Sequence, residues 1–177
     1  MMRALFVLAA LFAGCTSDTR RGHGDLPTVN GLDTDRYLGT WYEIGSYANR
    51  FQKGCVATSA TYTRKENGRI GVANTCRRER IDGEVRSIQG EAWSASGDSA
   101  RLKVRFFWPF SGDYWVIGLD PQYRWALVGE PRRKYLWILS REPSMDETTY
   151  ARILELAQQR GYDPARVQRT PQPTSAH

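Results

Sequence analysis

Histidine is nearly absent from this 177-residue chain: there are two, His23 and His177, and both sit in polar end segments. A folded core therefore has no Ser–His or Cys–His nucleophile pair, and the usual zinc and haem ligand sets cannot be assembled. Haem carriage would need another axial ligand, which nothing in the sequence favours, so no cofactor and no metal are expected. Cysteine is scarce too, at three residues, Cys15, Cys55 and Cys76. No phosphate-cradling glycine loop is present. The apolar run at residues 4–12 (ALFVLAALF) is shorter than the ~20 residues that span a bilayer. Lys and Arg outnumber Asp and Glu by 25 to 19, a net +6 that suits an anionic surface without naming one. What is present is 41% hydrophobic and 25% charged residues, a single globular domain, with six Trp and nine Tyr. That inventory suits a container better than an enzyme.

The amino-terminal residues read as an export address. Arg3 is a minimal basic region, residues 4–12 are its apolar stretch, and Ala13 and Gly14 are small residues at a cleavage point. Leu11-Phe12-Ala13-Gly14-Cys15 resembles a bacterial lipobox, with Phe12 standing where Leu is usual. That resemblance implies that residues 1–14 are removed. Cys15 is then acylated with palmitate-type chains, and two or more chains anchor a protein firmly. Thr16 after the Cys, where Asp would mean inner-membrane retention, implies the outer membrane, with the protein facing the periplasm. Residues 15–30 are polar and dotted with Gly and Pro, a flexible tether, and residues 169–177 are expected to be a frayed tail. The folded domain is expected at 31–168.

Inside those limits the chain reads as strands first and one helix last. Runs rich in Val, Ile, Tyr, Phe and Trp predict strands at 41–47, 56–64, 69–77, 87–94, 101–108, 114–120, 124–129 and 135–140. Residues 145–160 predict a helix, with Ser144 and Glu147 as capping box and Gly161 as the stop. The fold class is all-β: an eight-stranded antiparallel up-and-down β-barrel with one C-terminal α-helix packed outside, an open sandwich being the alternative. Alternation places Ala60, Tyr62, Ile70, Val72, Ile88, Ala92, Leu102, Val104 and Phe106 inside, followed by Tyr114, Val116, Tyr135, Trp137 and Leu139. An eight-stranded barrel lined this way has room for one small ligand. Side chains that simply fill the core are the alternative.

Gly39-Thr40-Trp41 after Leu38, and Ser140-Arg141 after an aromatic strand, resemble the first and third conserved regions of the lipocalins. In that family the Arg packs on the Trp and plugs the closed end, a role the resemblance gives to Arg141 and Trp41. The longer runs 37–44, 135–143 and 106–110 (FFWPF), with Ala126-Leu127-Val128, resemble the bacterial outer-membrane branch of the family over about residues 32–167. The middle motif departs: Leu119-Asp120-Pro121 stands where Thr-Asp-Tyr is expected, with Tyr123 displaced. With Cys15 acylated, Cys55 and Cys76 remain as an even pair in an oxidising compartment. Placing Tyr62 opposite Ile70 brings the two thiols face to face within a residue, so a disulfide is expected, a reactive or metal-binding dithiol being the alternative.

If Trp41 lies at the closed end, the odd-numbered links form the mouth. These carry Arg77, Arg132 and Arg133 with further cations, and the aromatics Trp108 and Phe110. A basic rim around an apolar well suits a fatty acid or a (lyso)phospholipid. Glu43, two residues beyond Trp41, is the one inward carboxylate to watch, expected to bond near Arg141. The expected partners are a lipid or other small hydrophobic ligand and the outer membrane through the acyl anchor. Export argues against nucleic acid, and a homodimer is left open. The reading is a carrier without enzymatic activity, against a structural envelope lipoprotein with a filled barrel or a weak lipid-modifying enzyme using Glu43.

Overall fold

A computed structural model describes residues 26–94 and 96–173; the leader, Cys15 and the first part of the tether lie outside the described residues. Eight strands follow one another as an antiparallel meander: β1 (Gly39–Tyr47), β2 (Cys55–Arg64), β3 (Ile70–Arg78), β4 (Val85–Ser94), β5 (Arg101–Phe107), β6 (Phe110–Leu119), β7 (Trp125–Gly129) and β8 (Leu136–Ser140). Strand β1 pairs with β8 on one side and β2 on the other, which closes the barrel and removes its edges. A one-turn helix α1 (Thr34–Tyr37) precedes β1, and α2 (Glu147–Gln159) follows β8.

Both alternating sets of β7 and β8 are apolar because each strand has two covered faces. Trp41, Tyr62, Val72, Leu102, Val116 and Val128 belong to the interior cluster. Ile44, Ile117, Leu127 and Ile138 point outward, against Tyr150, Ile153 and Ala157 of α2. The helix starts two residues later than expected. Asp146, not Ser144, is its N-cap, and its carboxylate accepts from the Thr149 N–H at 2.8 Å. Gly161, at φ +82°, follows the helix end as the sequence predicts.

Both ends of the expected domain need correcting. Leu26 is fully buried between barrel and helix, and the Val29 N–H donates to the Val116 carbonyl at 2.9 Å, so Leu26 and Val29 belong to the fold and not to the expected tether. At the other end residues 167–172 are built into the fold. A ninth strand, β9 (Val167–Arg169), pairs antiparallel with Gly45, Ser46 and Tyr47 of β1. The reason is geometric. Strand β1 pairs with β2 only over Gly39–Tyr42, so beyond Tyr42 the two part and leave backbone groups to satisfy. The Thr170 N–H donates to Ile44, Pro171 accepts from the Ala57 N–H, and Gln172 donates to the carbonyls of Glu43 and Thr58.

The β2–β3 hairpin is also shifted. Tyr62 faces Val72, not Ile70, because Arg64 pairs directly with Ile70 around the turn at Asn67-Gly68. A bulge between Val56 and Ser59, with Ala57 at φ +50°, takes up one residue and leaves Cys55 opposite Arg78, two residues from Cys76. Cys55 and Cys76 are disulfide-bonded with their Cα atoms 5.5 Å apart. Replacing both by Ser should cost about 2–4 kcal/mol and lower Tm by roughly 5–15 °C in a thermal melt of the non-reduced protein. An unchanged melt would mean the bridge contributes nothing.

Candidate binding site: the barrel interior

The floor is built from residues that each explain another. Trp41 is fully buried and donates its indole N–H to the Tyr37 carbonyl of α1 at 2.8 Å. The guanidinium of Arg141 lies 3.8 Å from the Trp41 ring centroid and donates to the carbonyls of Thr40 (2.9 Å) and Arg36 (2.7 Å). Burial draws its pKa below the ordinary arginine value. Gly39 sits at φ +93°, and a Cβ there would stand 3.2 Å from Arg141 Nη1, so glycine answers both the backbone and the approach. The departing motif closes its own turn. Asp120 accepts from the N–H groups of Gln122 and Arg124 and from the Arg124 guanidinium, whose hydrogen bonds hold the carboxyl below its ordinary pKa. Tyr123, at φ +61°, lies under Arg36 with 4.1 Å from guanidinium carbon to ring centroid.

Three tyrosines meet at the same closed end. Tyr62 donates to the Tyr114 hydroxyl at 2.9 Å, and Tyr37 is 2.8 Å from the same oxygen. Burial pushes Tyr62 up to about 12, and burial with mutual repulsion raises Tyr37 and Tyr114 well above the usual tyrosine value. Such groups stabilise the fold fully below the unfolded tyrosine pKa near 10, and that contribution fades as pH rises through the folded values. A spectrophotometric titration should therefore show these three silent until the barrel opens, with stability falling above about pH 10. Three phenols ionising reversibly near pH 10 in folded protein would contradict the arrangement.

Burial falls with height along the lining. Tyr62, Ile70, Val72, Ala92, Leu102, Val116 and Leu139 are buried at or near the floor. Ala60, Val104, Phe106, Tyr114 and Trp137 pack on that cluster yet stay half-buried, as does Ile88. Tyr135 precedes β8 and stacks on Trp137 at 5.8 Å, with Phe51 beyond it at 6.3 Å. Asn74, in the same inward row as Val72, is a lining residue missed in the sequence; its Oδ1 is buried without a partner among the described residues. Its spacing of two from Val72 was the signal.

The mouth residues are divided. Trp108 and Phe110 stand in solvent, as does Arg132. Arg77 donates to the Gly83 carbonyl at 3.1 Å and so braces the β3–β4 link. Arg133 turns away from the mouth: its guanidinium donates to the Arg160 carbonyl at 2.7 Å, where the end of α2 attracts a cation. Glu130, an apparent rim anion, is buried and accepts from the N–H groups of Arg132 and Tyr135. Glu43 also departs from expectation. It pairs with inward Leu139, and its carboxylate accepts from Ser46, Gln52 and Thr170, with no bond to Arg141 among the described residues. Gln52 in turn accepts from the Trp137 indole N–H at 3.1 Å, so Glu43 anchors the mouth. Beside it, a cleft of about 450 Å³ opens between residues 46–55 and 168–171.

A closed antiparallel barrel with a plugged floor, half-exposed apolar lining above it and a helix on one flank is the architecture of a small-ligand-binding β-barrel. A family model described as a lipocalin-like domain matches residues 32–172, and the chain belongs to that family. It is 44% identical to temperature-induced lipocalin-1 of Arabidopsis thaliana over 84% of this chain and 83% of the relative. Similarity to the outer membrane lipoprotein Blc of Escherichia coli reaches 40% identity over 98% of this chain and the whole of the relative. Apolipoprotein D of Macaca fascicularis is 36% identical over 84% of this chain and 82% of the relative. Among solved structures, insecticyanin from Manduca sexta shares the fold with a TM-score of 0.68 and 18% identity, covering 86% of this chain and 87% of that one. The family is one of binding proteins for small hydrophobic molecules.

Proposed function

We propose that the chain is a lipid carrier that takes the apolar tail of a fatty acid or (lyso)phospholipid into the barrel and leaves the anionic head at the mouth. The contrast in burial carries this reading. A barrel filled by its own side chains would bury Val104, Phe106 and Trp137 as completely as Leu102 and Val116, and it does not. Arg132 and Lys134, exposed beside the opening, supply charge for a carboxylate or phosphate head.

Location rests on a different part of the chain. Cys15, acylated after removal of residues 1–14, would tether the barrel to the outer membrane on its periplasmic side, and the naming of the Blc relatives as outer membrane lipoproteins supports this. No catalytic step is assigned: Glu43 is engaged by Ser46, Gln52 and Thr170, and no histidine stands among the described residues to activate either hydroxyl.

Native mass spectrometry of the chain from Thr16 onward, which keeps every described element, tests the reading. A co-purified fatty acid or lysophospholipid displaced by a competitor is the expected result. A protein that arrives empty and takes up no lipid in titration would return the barrel to a structural role.

A further inference from the structure

Strands β1, β3, β5 and β7 all run toward the end opposite the Trp41 floor, so the links that follow them share one rim. That rim holds every large hydrophobic side chain exposed to solvent among the described residues: Phe51, Ile81, Val85, Phe107, Trp108 and Phe110. The four aromatics are extreme, with Trp108 81%, Phe110 75%, Phe51 71% and Phe107 68% exposed. None of the four belongs to either apolar core. Scattered exposed apolar groups need no explanation, but a set confined to one end and spread over three separate links marks a contact surface.

Charge identifies what meets it. Arg50 stacks over Phe51 at 5.1 Å, and Lys53, Arg78, Arg86, Arg132 and Lys134 are exposed on the same rim. Of the rim carboxylates, Asp82 is paired with Arg80 at 2.8 Å, Asp113 with Lys103 at 2.7 Å, and Glu130 is buried within its own link; Glu79 and Glu84 are exposed, but the rim cations outnumber them. Aromatic tips surrounded by cations match a headgroup layer, where rings settle at the interface and Lys and Arg meet anionic phosphates. A second copy docked mouth to mouth would set these basic links against each other, because a two-fold contact uses the same patch twice.

We propose that the open end of the barrel docks on an anionic phospholipid bilayer, with Phe107, Trp108 and Phe110 inserted among the headgroups and Phe51 beside them. The well then opens onto the leaflet, and a lipid tail passes between bilayer and barrel without crossing water. This surface shares Arg132 and Lys134 with the proposed head site, so the exposed aromatics and a lumen-blocked variant are what distinguish docking from ligand uptake.

The chain from Thr16 onward is sedimented with vesicles of phosphatidylglycerol and phosphatidylethanolamine, and with phosphatidylcholine vesicles. The same assay is run on Val104→Trp, whose lumen is blocked. Adsorption to the anionic vesicles by both proteins is expected. Phe107→Ser, Trp108→Ser and Phe110→Ser combined should weaken it at least ~10-fold, and Arg132→Glu with Lys134→Glu should remove the preference for phosphatidylglycerol. All five positions except Phe110 and Phe107 lie in links, and all are exposed, so retained thermal melts are expected to accompany these losses. Unaltered adsorption of the aromatic variant would overturn the proposal. So would a wild-type protein that ignores anionic vesicles, including one that instead dimerises through these residues in sedimentation velocity.

Discussion

Val104→Trp is expected to abolish lipid uptake by the isolated barrel, weakening binding at least ~100-fold while leaving the fold intact. Val104 lies on β5 opposite Ala92 and Gly112, in the inward row that runs from buried Leu102 to half-buried Phe106. An indole there projects into space above the floor, not into the close-packed floor itself. If that space is open, the added atoms displace ligand without displacing protein. If side chains fill it, the substitution overpacks the core, costs about 1–3 kcal/mol and is seen as a lowered melt. One variant thus separates an open well from a filled one through two readouts that move oppositely. Trp137→Arg approaches the same question from β8. It places a charge in an apolar lining and removes the indole N–H that Gln52 accepts, so binding should fall and the β1–β2 link should loosen. Titration with a fluorescent fatty acid, read beside a thermal melt, checks both. Full binding by Val104→Trp would mean the ligand lies elsewhere.

The parts of this molecule that were legible in the sequence are those with a strong period or a local steric demand. Alternation in β5, Leu102-Lys103-Val104-Arg105-Phe106, gave the correct inward face because every second residue must meet the core. Gly39-Thr40-Trp41 and Arg141 were legible through their resemblance to the lipocalin motifs, and the structure shows why these residues go together: a left-handed glycine, an indole and a distant arginine form one steric unit. What escaped was set by contacts between distant segments. Strand β9 has three residues and forms because β1 and β2 part near the mouth, a fact of barrel closure that no local window contains. Leu26 and Val29 lie in polar surroundings and read as tether, yet they pack on the barrel. Alternation from Trp41 holds as far as Glu43, which pairs with inward Leu139; what escaped was its partners, because Gln52 and Thr170 reach it from distant segments. Arg133 was counted at the mouth because the end of α2 could not be placed in space from sequence.

The floor should respond to mutation in the opposite manner to the well. Trp41→Ala removes a fully buried indole and leaves a cavity beside Tyr37, at a cost of about 3–5 kcal/mol. Arg141→Ala removes the group that satisfies the carbonyls of Thr40 and Arg36 and covers the indole face. Its cost should be about 2–4 kcal/mol, the sum of two charge-assisted hydrogen bonds and a stacked cation less the penalty of having partly buried it. Arg141→Lys should recover little, because an ammonium cannot lie flat on Trp41 and reach both carbonyls. Denaturant unfolding checks these values. The informative comparison is with ligand affinity measured on the same variants under conditions where they stay folded. Since Trp41 and Arg141 belong to the closed end, affinity should move by less than about threefold while stability falls by several kcal/mol. A large affinity loss in Arg141→Lys, with its melt preserved, would show that ligand reaches the floor. The expected separation of the two effects follows from how the barrel is built. One end is fixed by mutually dependent contacts, and the other, held by the Glu43–Gln52–Trp137 chain and the disulfide, is the end proposed to meet a ligand.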